Sequence, residues 1–311
     1  MPQSPRGGFS GYDLEMLVVA LIWGGNFSVS KFAMEQFPPL PFSAFRFTLA
    51  GLLLLLVARR AGAMAQLPRK TLWGLVGLGV IGNTLYQAVF MTGLSLTTAT
   101  NSAMIVASLP VVVALFGTLL GIERATPATW LGVVLGTTGV ALVVTARGVY
   151  FHAGSLVGDV LVMGSMLCWA FYTVMVRRVG AGVAALQITT ITTLAGAPGL
   201  LLLGTPGLLR MAWAGLSAKT WGAVTYATLL ALVLSYVLYN RAVQAIGSSR
   251  TAIFNCLTPL VAMVVAWFTL GEVPTWVQYA GVTLVLIGVW VSVRGKPGSV
   301  EREAGSGEPA L

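Results

Sequence analysis

The sequence is short of charge. Only 9% of its 311 residues are Asp, Glu, Lys or Arg, against about 25% in a soluble domain. Such a chain cannot clothe a surface in water. With 57% apolar residues and a mean hydropathy of +0.87, it reads as an integral membrane protein. Its first apolar segment lacks a small-residue cleavage pattern and reads as a retained helix, not a signal peptide.

Other scarcities exclude chemistry. The two cysteines, Cys168 and Cys256, lie inside apolar runs and the one histidine, His152, lies in a loop. The cysteines read as small buried hydrophobes, not as a disulfide, and with no histidine near them not as a metal site. A Gly-x-x-x-x-Gly-Lys loop for ATP is missing, as are the paired aspartates or Ser-base pair that intramembrane hydrolysis would need. The expectation is a protein that is not an enzyme and takes no cofactor. The nine acids are Asp13, Glu15, Glu35, Glu123, Asp159, Glu272, Glu301, Glu303 and Glu308, and none falls at the centre of an apolar run. A proton relay based on carboxylates needs such a group in the membrane.

What is present is a series of long apolar runs. A membrane helix needs about 20 apolar residues, and that ruler finds ten candidates. They are 14–33, 41–58, 71–92, 97–120, 127–146, 156–176, 183–203, 219–242, 249–270 and 275–293. With ten spans, both ends of the chain lie on one side. That side receives thirteen of the Lys and Arg residues, and the other receives Lys31, Arg46, Arg147, Arg210 and Lys219. The bias makes both termini cytoplasmic. It also explains the net charge of +9 without a nucleic-acid partner.

The first run carries an echo. A shift of 146 residues sets Asp13 on Asp159, Trp23 on Trp169 and Lys31 on Arg177; later, a shift of 149 sets Ala103 on Ala252, Pro110 on Pro259, Glu123 on Glu272, Gly132 on Gly281 and Gly139 on Gly288. Each unit holds five spans, an odd number, so the second enters the membrane from the opposite side. Inverted repeats are a signature of transporters. The expected parts are a cytoplasmic segment 1–13, a first repeat 14–146, an extracytoplasmic linker 147–155, a second repeat 156–293 and a disordered cytoplasmic tail 294–311.

Particular stretches carry a resemblance. They are IWGGNFSVSKFA (Ile22–Ala33) and PPLPFSAFRF (Pro38–Phe47), then Leu109–Val143 and Thr258–Val291, in each of which a proline-bearing span is followed by Glu, an aromatic residue and two glycines seven apart. In these the chain resembles the EamA-type transporters of the drug/metabolite transporter superfamily, from Met16 to Val293. The resemblance implies an all-α fold of ten helices in two inverted five-helix repeats, and a central pathway. It also implies export of amino acids or related metabolites, as by the YddG-type exporters within that superfamily. The second half departs from the first: Ala170 and Phe171 stand at the places of Gly24 and Gly25, and Thr192 at that of Arg46.

Polar and aromatic residues deep in the spans are the candidate site. Trp23 and Asn26 lie near the middle of the first; Asn83, Tyr86 and Gln87 share one face of the third at i, i+3 and i+4. The eighth gathers Ser235, Tyr236 and Tyr239 with Asn240, the sixth gives Trp169 and Tyr172, and the ninth gives Asn255 and Thr258. Asn101 is a candidate mouth contact. Interhelical hydrogen bonding is the competing role for the amides, and an interfacial belt for the tyrosines. Pro110 and Pro259 each free a carbonyl four residues earlier and are expected to kink their spans.

Lys31 can pair with Glu35 at i+4. Arg46, about four residues into its span and roughly 6 Å deep, is read as a snorkelling anchor or as an attraction for a substrate carboxylate. Glu123 and Glu272, just past helix ends, are read as structural. The combined expectation is a multi-pass carrier in the cell inner membrane, exporting neutral or aromatic amino acids by alternating access and facilitated diffusion, as a monomer or weak dimer. Its partners are that small-molecule substrate and the lipid bilayer. The alternatives within the superfamily are a cationic-drug exporter and a sugar-phosphate carrier.

Overall fold

A computed structural model describes residues 9–96, 105–106, 108–123, 125–145, 156–270 and 275–294, with side chains throughout except at 27, 28, 31, 144, 262 and 265–270. Asn101, Glu272, His152 and Arg147, the side chain of Lys31, the linker 147–155 and the tail from residue 295 therefore lie outside the described residues.

Helix α1 spans Gly11–Met34. It starts where Ser10 and Asp13 cap one another: the Asp13 carboxylate accepts from the Ser10 N–H at 2.7 Å, and the Ser10 hydroxyl accepts from the Asp13 N–H at 3.4 Å. Helix α2 spans Pro39–Arg60, opening on a proline that needs no N–H partner and closing on Arg59 and Arg60 at the negative end of its dipole. Helix α3 spans Arg69–Leu96, α4 Leu109–Leu119, α5 Pro127–Thr145, α6 Leu156–Val179 and α7 Ala185–Arg210. Helix α8 spans Ala218–Ile246. Gly247, at φ 93°, breaks the chain. Helix α9 follows as Ser248–Ile253, a tight turn Phe254–Cys256 and Leu257–Leu270. Helix α10 is Trp276–Arg294.

Among the described residues α2, α3, α6, α7, α8 and α10 are long and apolar enough to cross a membrane, and α4 and α5 are shorter apolar helices. The outward surface carries bare hydrophobes, with Leu202 79%, Leu209 82% and Trp276 87% exposed. A water-facing protein would not leave them so.

The packing is reciprocal. Helix α2 runs along α7, and α5 along α10; α1 packs on α8 and α9 as α6 packs on α3 and α4. Exchanging each helix for the one five places along reproduces this pattern. The duplication extends to irregular structure. α3 widens into a π-helical segment at Val80–Leu85, and α8 does the same at Leu229–Leu234, 149 residues later, the offset read from the sequence. Between α5 and α10 the glycines meet backbone to backbone. A Cβ at Gly132 would lie 2.7 Å from the carbonyl oxygen of Gly288, and one at Gly281 would lie 2.6 Å from that of Gly139.

The expected proline kinks take another form. Pro110 sits at the start of α4, in the first turn, where its missing N–H would have no intrahelical partner. Pro259 is the third residue of Leu257–Leu270, just after the turn Phe254–Cys256, so α9 changes pitch before the proline is reached. Helix α7 carries Pro198 and Pro206 in its interior.

Candidate functional site: a central aromatic cavity

A cavity of about 120 Å³ lies at the meeting of the helices, walled by α1, α2, α3, α4, α6, α8 and α9. Its aromatic frame is Trp23, Trp169, Tyr86 and Tyr236. The Trp23 and Trp169 rings meet edge to face at 6.0 Å, Trp169 stands 5.3 Å from Tyr236, and Tyr86 stands 5.1 Å from Trp169. Such contacts fix the rings in place around the opening.

Irregular backbone helps to build the wall. The Trp23 indole N–H donates to the carbonyl of Ala231 at 2.9 Å, inside the π-helical segment of α8. π-Helical segments recur at functional sites because they upset the regular ladder and re-aim side chains. The Ser235 hydroxyl takes the neighbouring carbonyl, of Leu230, at 2.8 Å.

The structure separates the sequence candidates into two groups. Trp23, Asn26, Tyr86, Gln87, Trp169, Tyr236, Asn255 and Thr258 line the cavity. Asn83, Tyr172, Ser235 and Tyr239 are buried between helices instead. Asn83 donates to the Thr192 carbonyl at 2.8 Å, the Asn240 amide donates to the Tyr172 hydroxyl at 3.1 Å and to the Thr189 hydroxyl at 2.9 Å, and the Tyr239 and Thr173 hydroxyls share a bond at 3.0 Å. This network ties α3, α6, α7 and α8 together. The shared face expected for Asn83, Tyr86 and Gln87 assumed 3.6 residues per turn. Asn83 lies within the wider turn Val80–Leu85, which rotates it away from the other two.

Arg46 is the chief residue placed differently from the sequence reading. The helix begins at Pro39, so Arg46 is roughly 10 Å along it. Its side chain turns inward, 5% exposed, and lines the cavity. The guanidinium carbon lies 4.9 Å from the centre of the Phe42 ring and 5.6 Å from that of Phe47. Snorkelling to headgroups is therefore not its role here. Ser30 was also missed; a serine within an apolar run gives no signal of its own.

Polar groups around the cavity are left wanting partners. The Nε of Arg46, the amide oxygen of Asn26 and the hydroxyls of Ser30 and Thr258 are buried without a hydrogen bond among the described residues, and all four side chains line the cavity. Buried polar atoms are nearly always paired, so four around one opening mark a place built to meet something polar. Glu123, by contrast, is fully engaged. It accepts from the backbone N–H of Ser248 at 3.0 Å and of Ser249 at 3.2 Å, caps the start of α9, and pairs with Arg177 at 3.1 Å. Its role is structural.

Comparison with known proteins gives the family. A family model described as "EamA-like transporter family" matches residues 11–145 and again 156–294. The uncharacterized transporter YyaM of Bacillus subtilis is 28% identical over 88% of this chain and 90% of its own length. An uncharacterized transporter of Archaeoglobus fulgidus is 29% identical over 90% and 96%. The uncharacterized inner membrane transporter YedA of Escherichia coli is 23% identical over 90% of each. A crystal structure of a protein 18% identical superposes with a TM-score of 0.76 over 92% of this chain and 97% of that one, a likeness of fold alone.

Proposed function

The chain belongs to the EamA-like transporter family, and from that premise we propose that it exports neutral or aromatic amino acids across the cell inner membrane by alternating access. The spans number ten, in two inverted sets of five, with both termini cytoplasmic. The observation that carries the substrate class is the cavity itself. Five aromatic rings stand around an opening where two hydroxyls, one amide oxygen and the Arg46 Nε lack partners among the described residues. An amino acid offers the matching groups: an apolar or aromatic side chain for the rings and two charged ends for the polar atoms. The name of YedA as an inner membrane transporter supports the location.

Transport runs down the substrate gradient. No Asp, Glu or His is among the described residues that line the cavity, which leaves a proton relay without its usual carrier there. The test is counterflow in proteoliposomes with a panel of amino acids, one quaternary ammonium compound and one sugar phosphate. Uptake of amino acids is the expected result, and uptake of only the last two would overturn it. Accumulation driven by an imposed pH gradient alone would overturn facilitated diffusion.

A further inference from the structure

Arg46 stands out among the charged groups of the described residues. Asp13 pairs with Arg250, Glu15 with Arg241 and Glu123 with Arg177. Arg46 has no carboxylate partner among the described residues, and its buried Nε has no hydrogen bond there, although the side chain is only 5% exposed. It is also the one charged side chain in the described cavity wall. Taking a cation out of water without a partner is costly, and a lasting unpaired charge of this kind calls for an explanation.

The two neighbouring phenylalanines supply part of it. With the guanidinium carbon within 6 Å of both ring centres, cation–π attraction holds the group in place without occupying its N–H donors. A guanidinium fixed in this way presents a planar fork that matches a carboxylate in two parallel hydrogen bonds. The remaining unpartnered atoms are of the complementary kind. The amide oxygen of Asn26 and the hydroxyls of Ser30 and Thr258 can accept from an ammonium, and the faces of Trp23, Trp169 and Tyr236 can attract one.

We propose that Arg46 is the seat of a substrate carboxylate within the central cavity, so that the carrier admits carboxylate-bearing molecules and rejects amines that lack one. This deepens the amino-acid reading above and rests on it for the identity of the natural cargo. The same charge that attracts the carboxylate repels a lipophilic cation, and the described wall holds no acid to offset that repulsion. An arginine held for structure alone would have its buried Nε bonded to a neighbour; that of Arg46 has no partner among the described residues.

The experiment uses the full chain in proteoliposomes, with tryptophan counterflow challenged by two analogues. Tryptamine keeps the ring and amine without the carboxylate, and indole-3-propionate keeps the ring and carboxylate without the amine. Indole-3-propionate is expected to compete at least about tenfold better than tryptamine, a difference of about 1.4 kcal/mol. Arg46→Gln is expected to abolish that preference, and Arg46→Lys to restore part of it.

Equal competition by tryptamine, or a preference that survives Arg46→Gln, overturns the proposal while tryptophan transport leaves the amino-acid reading standing. Direct uptake of labelled indole-3-propionate but of no amino acid supports the carboxylate seat and overturns the amino-acid reading. Uptake of neither overturns both. The wild-type comparison requires no variant to fold, so the analogue test stands even if Arg46→Gln fails to accumulate.

Discussion

Arg250 grips Asp13 from the other half of the molecule. Its Nη2 donates to Asp13 Oδ2 at 2.6 Å and its Nε to Oδ1 at 3.1 Å, with the Asp13 side chain fully buried and that of Arg250 8% exposed. The contact joins the first turn of α1 to the start of α9. Breaking one partner of a buried pair strands the other charge and costs about 3–5 kcal/mol, whereas replacing both by apolar groups is far milder. Asp13→Asn should therefore lower the thermal unfolding temperature in detergent by several degrees, and Asp13→Leu with Arg250→Met should recover much of the loss. Equal losses in the single and double variants would argue against a buried pair.

The glycine seam between α5 and α10 admits no side chain. A Cβ at Gly288 would lie 2.7 Å from both the Gly132 carbonyl oxygen and the Gly136 nitrogen. Gly288→Leu should cost about 3 kcal/mol or more, at the upper end of overpacking penalties, read as loss of monodisperse protein on size exclusion. Gly222→Ala, where a Cβ meets nothing within 4 Å, is the control. It should be neutral or slightly stabilising.

Trp23 has two jobs that substitution can part. Trp23→Phe keeps a ring against Trp169 and Tyr236 but loses the bond to the Ala231 carbonyl, about 1 kcal/mol. Trp23→Ala removes both, and transport of aromatic amino acids should fall about tenfold beyond the Phe variant. Initial rates normalised to folded protein measure this. Matching rates in the two variants would mean the ring does not meet the substrate.

Asn26 and Asn83 divide transport from folding. Asn83 bonds the Thr192 carbonyl between helices, so Asn83→Ala should cost about 1–3 kcal/mol in stability and leave the transport rate per folded molecule unchanged. Asn26, with its amide oxygen unpartnered on the cavity wall, should show the reverse. The readouts are thermal unfolding and counterflow on the same preparations.

Much of the architecture is legible in composition and periodicity. Apolar runs about 20 residues long locate helices, because a buried backbone must satisfy itself within each segment. The repeat of Trp23 at Trp169 and of Gly139 at Gly288 announces two units. Of the candidate site, Trp23 and Trp169 were legible for their cost in lipid, as was Asn26. Arg46 was visible as an intramembrane cation, but its depth along the helix said nothing about which way it faced. The π-helical turns Val80–Leu85 and Leu229–Leu234 left no sequence mark that separates Asn83 from Tyr86, or Ser235 from Tyr236.

The sequence by itself therefore determined that this chain lives in a membrane, that it is built twice over, and which residues are too polar for lipid. Only the tertiary structure decided which of them meet at the cavity and which bond across helix seams. The reason is geometric. Hydrophobicity is a property of each residue and can be read singly, whereas facing depends on the phase of every turn before it and on the neighbour that packs there. One widened turn rotates Asn83 into a seam, and one inward-facing position on α2 delivers the Arg46 charge to the cavity.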